Sequence, residues 1–179
     1  MPTMRSWHPS LHNPVAVAPS IALLLLFAGS VPALAQEPSE TVPRPDTISK
    51  IANVFVAPGT VNGRAATIRL GGGGAFIWPS GIGVGLDLGY LSDATRLGAG
   101  AGLFSAGLLY EFGDRRDLRP YVRGGISGLF DGVITQELFH VGGGVTRWYG
   151  DDWGMTFDVR DHFYYTTHIL EFSVGFVFR

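Results

Sequence analysis

The stretch Ile82-Gly-Val-Gly-Leu-Asp-Leu-Gly-Tyr90 alternates strictly, one residue in two. Ile82, Val84, Leu86, Leu88 and Tyr90 are large and apolar, whereas Gly83, Gly85, Asp87 and Gly89 are small or charged. A period of two belongs to a β-strand whose two faces meet different surroundings. Trp153-Gly-Met-Thr-Phe-Asp-Val-Arg-Asp161 repeats the pattern, with Trp153, Met155, Phe157 and Val159 opposite Gly154, Thr156, Asp158 and Arg160. In Leu170-Glu-Phe-Ser-Val-Gly-Phe-Val-Phe178 the apolar set is Leu170, Phe172, Val174, Phe176 and Phe178. No segment past Lys50 sustains a helical period, so the chain is confined to an all-β fold.

Counting back from the C-terminus, strands are expected near 167–178, 152–162, 137–149, 119–128, 99–112, 81–91, 64–78 and 50–57. The first is the least regular, because Ile51-Ala-Asn-Val-Phe-Val56 is short and alternates poorly. Three connections are rich in turn residues: Trp78-Pro-Ser-Gly81, Gly113 to Pro120, and Tyr149-Gly-Asp-Asp152. They fall at one end by parity, the periplasmic end if the C-terminus is periplasmic. The connections near 58–63, 92–98, 129–136 and 162–167 then face outward.

Residues 1–35 read as an export signal. Arg5, His8 and His12 form a weakly basic head, Val15 to Phe27 is mostly apolar, and Ala33-Leu-Ala35 supplies a small-residue cleavage site. The run is short for a membrane anchor. One of the 13 basic residues, Arg5, leaves with the signal, so 12 remain against 15 acids. That balance excludes an electrostatic nucleic-acid partner, and no basic patch is interleaved with aromatics. Residues 36–49, rich in Pro, Glu and Thr, read as a disordered lead-in to a domain spanning 50–179. With no Cys in the chain, disulfides, thiolate metal sites and a Cys nucleophile are excluded.

The faces opposite the bulky residues collect Arg69, Asp87, Glu111, Arg123, His140, Asp158, Arg160 and Glu171 among Gly, Ser and Thr. Four carboxylates, three guanidiniums and one imidazole suffice to pair nearly every charge. Charge inside and apolar side chains outside is the economy of a transmembrane β-barrel, whose closed ladder strands no backbone group in lipid. Trp78, Tyr90, Tyr110, Phe112, Tyr149, Trp153, Phe176 and Phe178 sit near strand ends, where interfacial girdles belong. A soluble exported barrel of lipocalin type is the rival, and needs Phe76, Leu86, Leu88, Met155, Phe157, Phe172 and Phe176 inside.

Arg69-Leu-Gly-Gly-Gly-Gly-Ala-Phe-Ile-Trp78 fits the same barrel. Its glycines run into an apolar cluster and Pro79, with no following helix and no Lys-Ser/Thr pair, so it is not a phosphate loop. By register Gly71 and Gly73 face the lumen with Arg69, and Gly72 and Gly74 face out. Inward glycine leaves room for crossing side chains and permits tight curvature. Gly124-Gly125 and Gly142-Gly-Gly144 repeat the device.

Gly142-Gly-Gly-Val145, Tyr149, Trp153 to Asp161 and the closing aromatic strand resemble the final hairpins of small bacterial outer-membrane barrels, the OmpA-type membrane domain and opacity-like proteins. The resemblance implies an eight-stranded antiparallel up-and-down transmembrane barrel, periplasmic chaperones in transit, and insertion by the barrel-assembly machinery. It also implies an assembly signal in the last strand, which Phe172, Phe176 and Phe178 match while Arg179 trails the expected final residue. Outer-membrane lipid is then the surrounding partner and the monomer the expected state.

Four functions fit such a barrel: an envelope-integrity protein with a charge-plugged lumen, a surface adhesin, a gated conduit for small solutes, and a lipid-modifying enzyme. The first is favoured. The widest outer connections, Ser92 to Gly98 and Leu129 to Gln136, are meagre for an adhesin. Neither His140, placed inward, nor His162 and His168, placed in or beside a loop with Thr166 and Thr167, shows a triad spacing, so no catalytic residue is assigned. No metal or cofactor site is expected: the histidines lack zinc-ligand spacing, and Asp151-Asp152 reads as a turn.

Overall fold

The computed structural model describes residues 47–112, 117–131 and 133–179. The expected signal and residues 36–46 of the lead-in lie outside them, as does the core of the turn around 113–116. Eight strands form one closed antiparallel barrel in sequence order: β1 (Ser49–Val61), β2 (Ala65–Ile77), β3 (Ile82–Asp93), β4 (Arg96–Glu111), β5 (Leu118–Asp131), β6 (Val133–Trp148), β7 (Trp153–Tyr164) and β8 (Thr167–Phe178). β1 pairs with β2 on one side and β8 on the other, so the sheet has no edge and its backbone groups find partners within the wall. At about 3.3 Å per residue and a tilt near 40°, a twelve-residue strand covers about 30 Å along the axis.

The alternation dictates which side is which. Phe76, Leu86, Leu88, Phe157, Phe172 and Phe176 are each about half exposed on the outer wall, whereas Asp87, Asp158, Arg160 and Glu171 are 5 % exposed or less. The lipocalin alternative required the reverse, and it fails here. Gly71 and Gly73 face inward, where a Cβ would strike Phe55 and Asp87; one at Gly72 would approach Val54 on the outside. Aromatic rings cover several glycines on neighbouring strands, Phe130 over Gly102 and Phe104 over Gly128, filling the gaps that a missing side chain leaves.

Two expectations need correction. β1 is a full strand of 13 residues rather than a short one, and it begins within the expected lead-in, at Ser49. Its alternation is blurred by Ala52, Ala57 and Gly59, yet Phe55 and Ala57 are buried and Val54 and Val56 exposed. The outer connections are far shorter than expected, because the strands run on to tight hairpins at 62–64, 94–95 and 165–166, and β5 and β6 stay paired as far as Asp131 and Val133. Asn62 and Gly63 both adopt positive φ, which Asn and Gly tolerate best, and Arg64 N donates to Val61 O across the turn. Asp93 Oδ1 accepts from Thr95 N and its hydroxyl, closing the hairpin at 94–95.

Candidate functional site: the lumen

The lumen is a stack of layers set by register. Next to the hairpins at 62–64, 94–95 and 165–166, Leu91, Leu103, Leu138 and Ile169 form a buried cluster, with Val61 and Leu129 packed against it. It closes that end with apolar side chains, a layer that the charge-plug expectation did not foresee.

Beneath it lies a hydroxyl-imidazole-carboxylate group. Ser127 Oγ is 2.9 Å from Ser105 Oγ, to which it donates, and 3.0 Å from both His140 Nδ1 and His162 Nδ1. His162 Nε2 is 3.2 Å from Glu171 Oε2, and Arg69 Nη2 is 2.8 Å from the same oxygen. Arg69 also lies over the Phe55 ring at 4.7 Å. His162 is fully buried in β7 rather than solvated beside a loop, which corrects its expected placement. Parity carries it inward with Asp158 and Arg160, and the strand runs two residues past its expected end.

The central layer is built on Asp87. Its Oδ2 accepts from Arg123 Nη2 and Arg160 Nη1, both at 2.8 Å, and Arg160 Nη2 reaches Asp158 Oδ1 at 3.2 Å. Tyr121, unnoticed in the sequence, donates to Asp158 Oδ2 at 2.9 Å and lies 3.1 Å from Thr156 Oγ1. Arg119 pairs with Glu111 at 2.8 Å nearer the chain termini. Arg119 is the fourth guanidinium, so the lumenal arginines Arg69, Arg119, Arg123 and Arg160 equal the carboxylates Asp87, Glu111, Asp158 and Glu171. Paired, hydrogen-bonded charge is the tolerable kind in a closed interior.

Towards the termini the packing loosens into a cavity of about 60 Å³, lined in part by Asn53, Asp87, Glu111, Tyr121, Arg123 and Thr156. At that mouth Arg179 stacks 3.8 Å over the ring of the buried Trp148. The residue that trails the expected terminal Phe therefore caps the lumen wall. Phe172, Phe176 and Phe178 line the outer face of β8.

No charged residue foreseen for the lumen points outward. Arg69, Asp87, Arg123, Asp158 and Arg160 crowd the middle with His140 and Glu171; Glu111 stands apart with Arg119. Among the described residues no cluster of three or more His, Cys, Asp or Glu is placed to hold a metal ion.

No family model and no curated protein matches the chain. Solved structures do. Neisserial surface protein A aligns with a TM-score of 0.58 at 14% identity, over 74% of this chain and 98% of that one. The N-terminal β-barrel domain of Pseudomonas aeruginosa OprF aligns at 0.52 and 15% identity, over 74% and 100%. A de novo designed transmembrane β-barrel aligns at 0.50 and 17%, over 72% and 93%. At such identities the likeness carries architecture, and the architecture is that of the small eight-stranded outer-membrane β-barrels.

Proposed function

We propose that this chain is an exported, integral outer-membrane barrel with a closed lumen, serving envelope structure rather than transport, adhesion or catalysis. The observation that carries the reading is the sorting of side chains. An apolar wall faces out, while paired charge is sealed within, under a leucine-rich cap. Water outside such a wall would be unfavourable at about 25 cal/mol per Å², whereas hydrocarbon is not. Aromatic residues ring the end that holds the termini, Trp78, Tyr110, Phe112, Tyr149, Trp153 and Phe178, each more than a third exposed. Phe172, Phe176 and Phe178 then serve as the signal read by the assembly machinery, with periplasmic chaperones holding the unfolded chain beforehand.

The tight outer hairpins support this reading over an adhesin, which needs protruding loops. The Ser127, His162 and Glu171 set supports it over an enzyme. Each of the three is 2 % exposed or less and lies beneath the apolar cluster, where no lipid ester can approach. The conduit reading has one observation in its favour, the cavity near the termini, but that cavity ends at the Asp87 layer.

Two measurements check the proposal. In planar bilayers at pH 7.5 the purified barrel is expected to show no steady conductance, and a persistent open pore refutes the plug. In vesicles, brominated acyl chains are expected to quench Trp78 and Trp153, the exposed indoles, and to leave Trp148, 4 % exposed, largely unaffected. Equal quenching of all three single-tryptophan variants contradicts the membrane orientation.

A further inference from the structure

Ser127 is the shared partner of two imidazoles, and that arrangement has a thermodynamic consequence. A hydroxyl has one hydrogen and two lone pairs. It meets three polar neighbours here, Ser105, His140 and His162, so the tautomers of the two histidines are tied together. His140 Nε2 is buried without a hydrogen-bond partner. A second proton on that ring would therefore sit as an unpaired N–H⁺ in the closed lumen.

The surroundings offer little relief. Around the two rings β2 presents Arg69, β3 Asp87, β5 Arg123, β7 Asp158 and Arg160, and β8 Glu171; β4 presents Ser105, and β1 the uncharged Phe55 and Ala57. Asp87 is already engaged by two guanidiniums, and Glu171 by Arg69 and His162. Arg69 has Nε and Nη1 without partners, so Glu171 is its one carboxylate anchor. Extra positive charge at His140 meets Arg123 and Arg160, whose shared partner Asp87 is already engaged, whereas His162 faces Glu171, which would pair with its imidazolium.

We propose that the His140–Ser127–His162 bridge is an acid-operated latch, which holds the lumen shut while His140 is neutral and releases it when that ring takes up a proton. This rests on the closed-lumen reading above. Any conformation that brings the rings to water lets them titrate near their ordinary value of about 6.5. Below that pH the closed state loses ground tenfold per pH unit for each ring that stays neutral in it. At pH 5 the shift is about 30-fold for this ring. The cavity towards the termini is where water first reaches the layer below the bridge.

The test is single-channel recording of the full barrel in planar bilayers, with both chambers at pH 7.5 and then at pH 5. Wild type is expected to be silent at pH 7.5 and to show openings at pH 5, at least about 30-fold more frequent. The His140→Asn/His162→Gln double variant, whose amides keep donors at both sites without titrating, is expected to lose the acid response. His140→Asn alone is expected to lose it as well, and it decides the matter if the double variant does not insert. His168→Asn, at the rim with Asp161, serves as a control and should respond like wild type. A wild type silent at pH 5, or a double variant that opens as readily, overturns the latch. Steady conductance at pH 7.5 overturns the closed-lumen reading instead, so the two failures are distinguishable.

Discussion

Asp87→Ala is expected to lower barrel stability by about 3–5 kcal/mol, the usual effect of stranding buried charge. Asp87 Oδ2 holds Arg123 and Arg160 at once, and the carboxyl is only 3 % exposed. Removing it leaves Arg160 with Asp158 and Arg123 with no carboxylate partner. Urea unfolding in lipid vesicles, followed by tryptophan emission, gives the midpoint that checks this. Adding Arg123→Met should recover part of the loss, because an apolar residue of similar volume avoids the desolvation of an unpaired cation. A loss under about 1 kcal/mol for Asp87→Ala would mean that water already screens the layer, as at exposed ion pairs.

Gly125→Val should be comparably severe, and its neighbour makes the comparison sharp. A Cβ on Gly125 points into the lumen and overlaps the Ala106 carbonyl oxygen and the Gly107 Cα, backbone atoms with nowhere to go. A Cβ on Gly124 points outward and meets only the His140 carbonyl oxygen, at 3.5 Å. Overpacking typically destabilises by about 1–3 kcal/mol, with more expected where backbone must shift. Gly125→Val is therefore expected to lose at least that much, or to fail to reach the heat-modifiable folded form on gels, whereas Gly124→Ala stays near wild type. Equal behaviour of the two would remove the argument that inward glycines shape the wall.

The fold was legible where alternation was strict. β3, β7 and β8 carry the period-two pattern almost undisturbed, and their bounds and facing directions could be read within a residue or two. Strand ends were less legible because polar and small residues continue the ladder with no change of composition. Arg96 to Gly98 and Val133 to Gln136 read as connections and are strand. The same cause put His162 beside a loop, although parity counted from Asp158 and Arg160 was enough to turn it inward.

The pairings inside the lumen were less legible still. Arg160 and Asp87 meet across 73 residues of sequence, and what brings them together is closure of β1 on β8, whose register no local pattern encodes. Ser105 and Ser127 were unremarkable in sequence, since a small inward residue reads the same whether it fills space or bridges two imidazoles. The apolar cap was hidden for a related reason: Leu91, Leu103, Leu138 and Ile169 interrupt the polar face one residue per strand.

The brevity of the hairpins at 62–64, 94–95 and 165–166 bears on how such a molecule reaches its final place. On the outer-membrane reading proposed above, the connections on the leading rim must be dragged through the oily slab, and each hydrated peptide group resists the crossing. With two or three residues per crossing, and few of them ionised, that toll is small. Direction of travel then depends on the other rim, where the indoles and phenols moor the trailing ends.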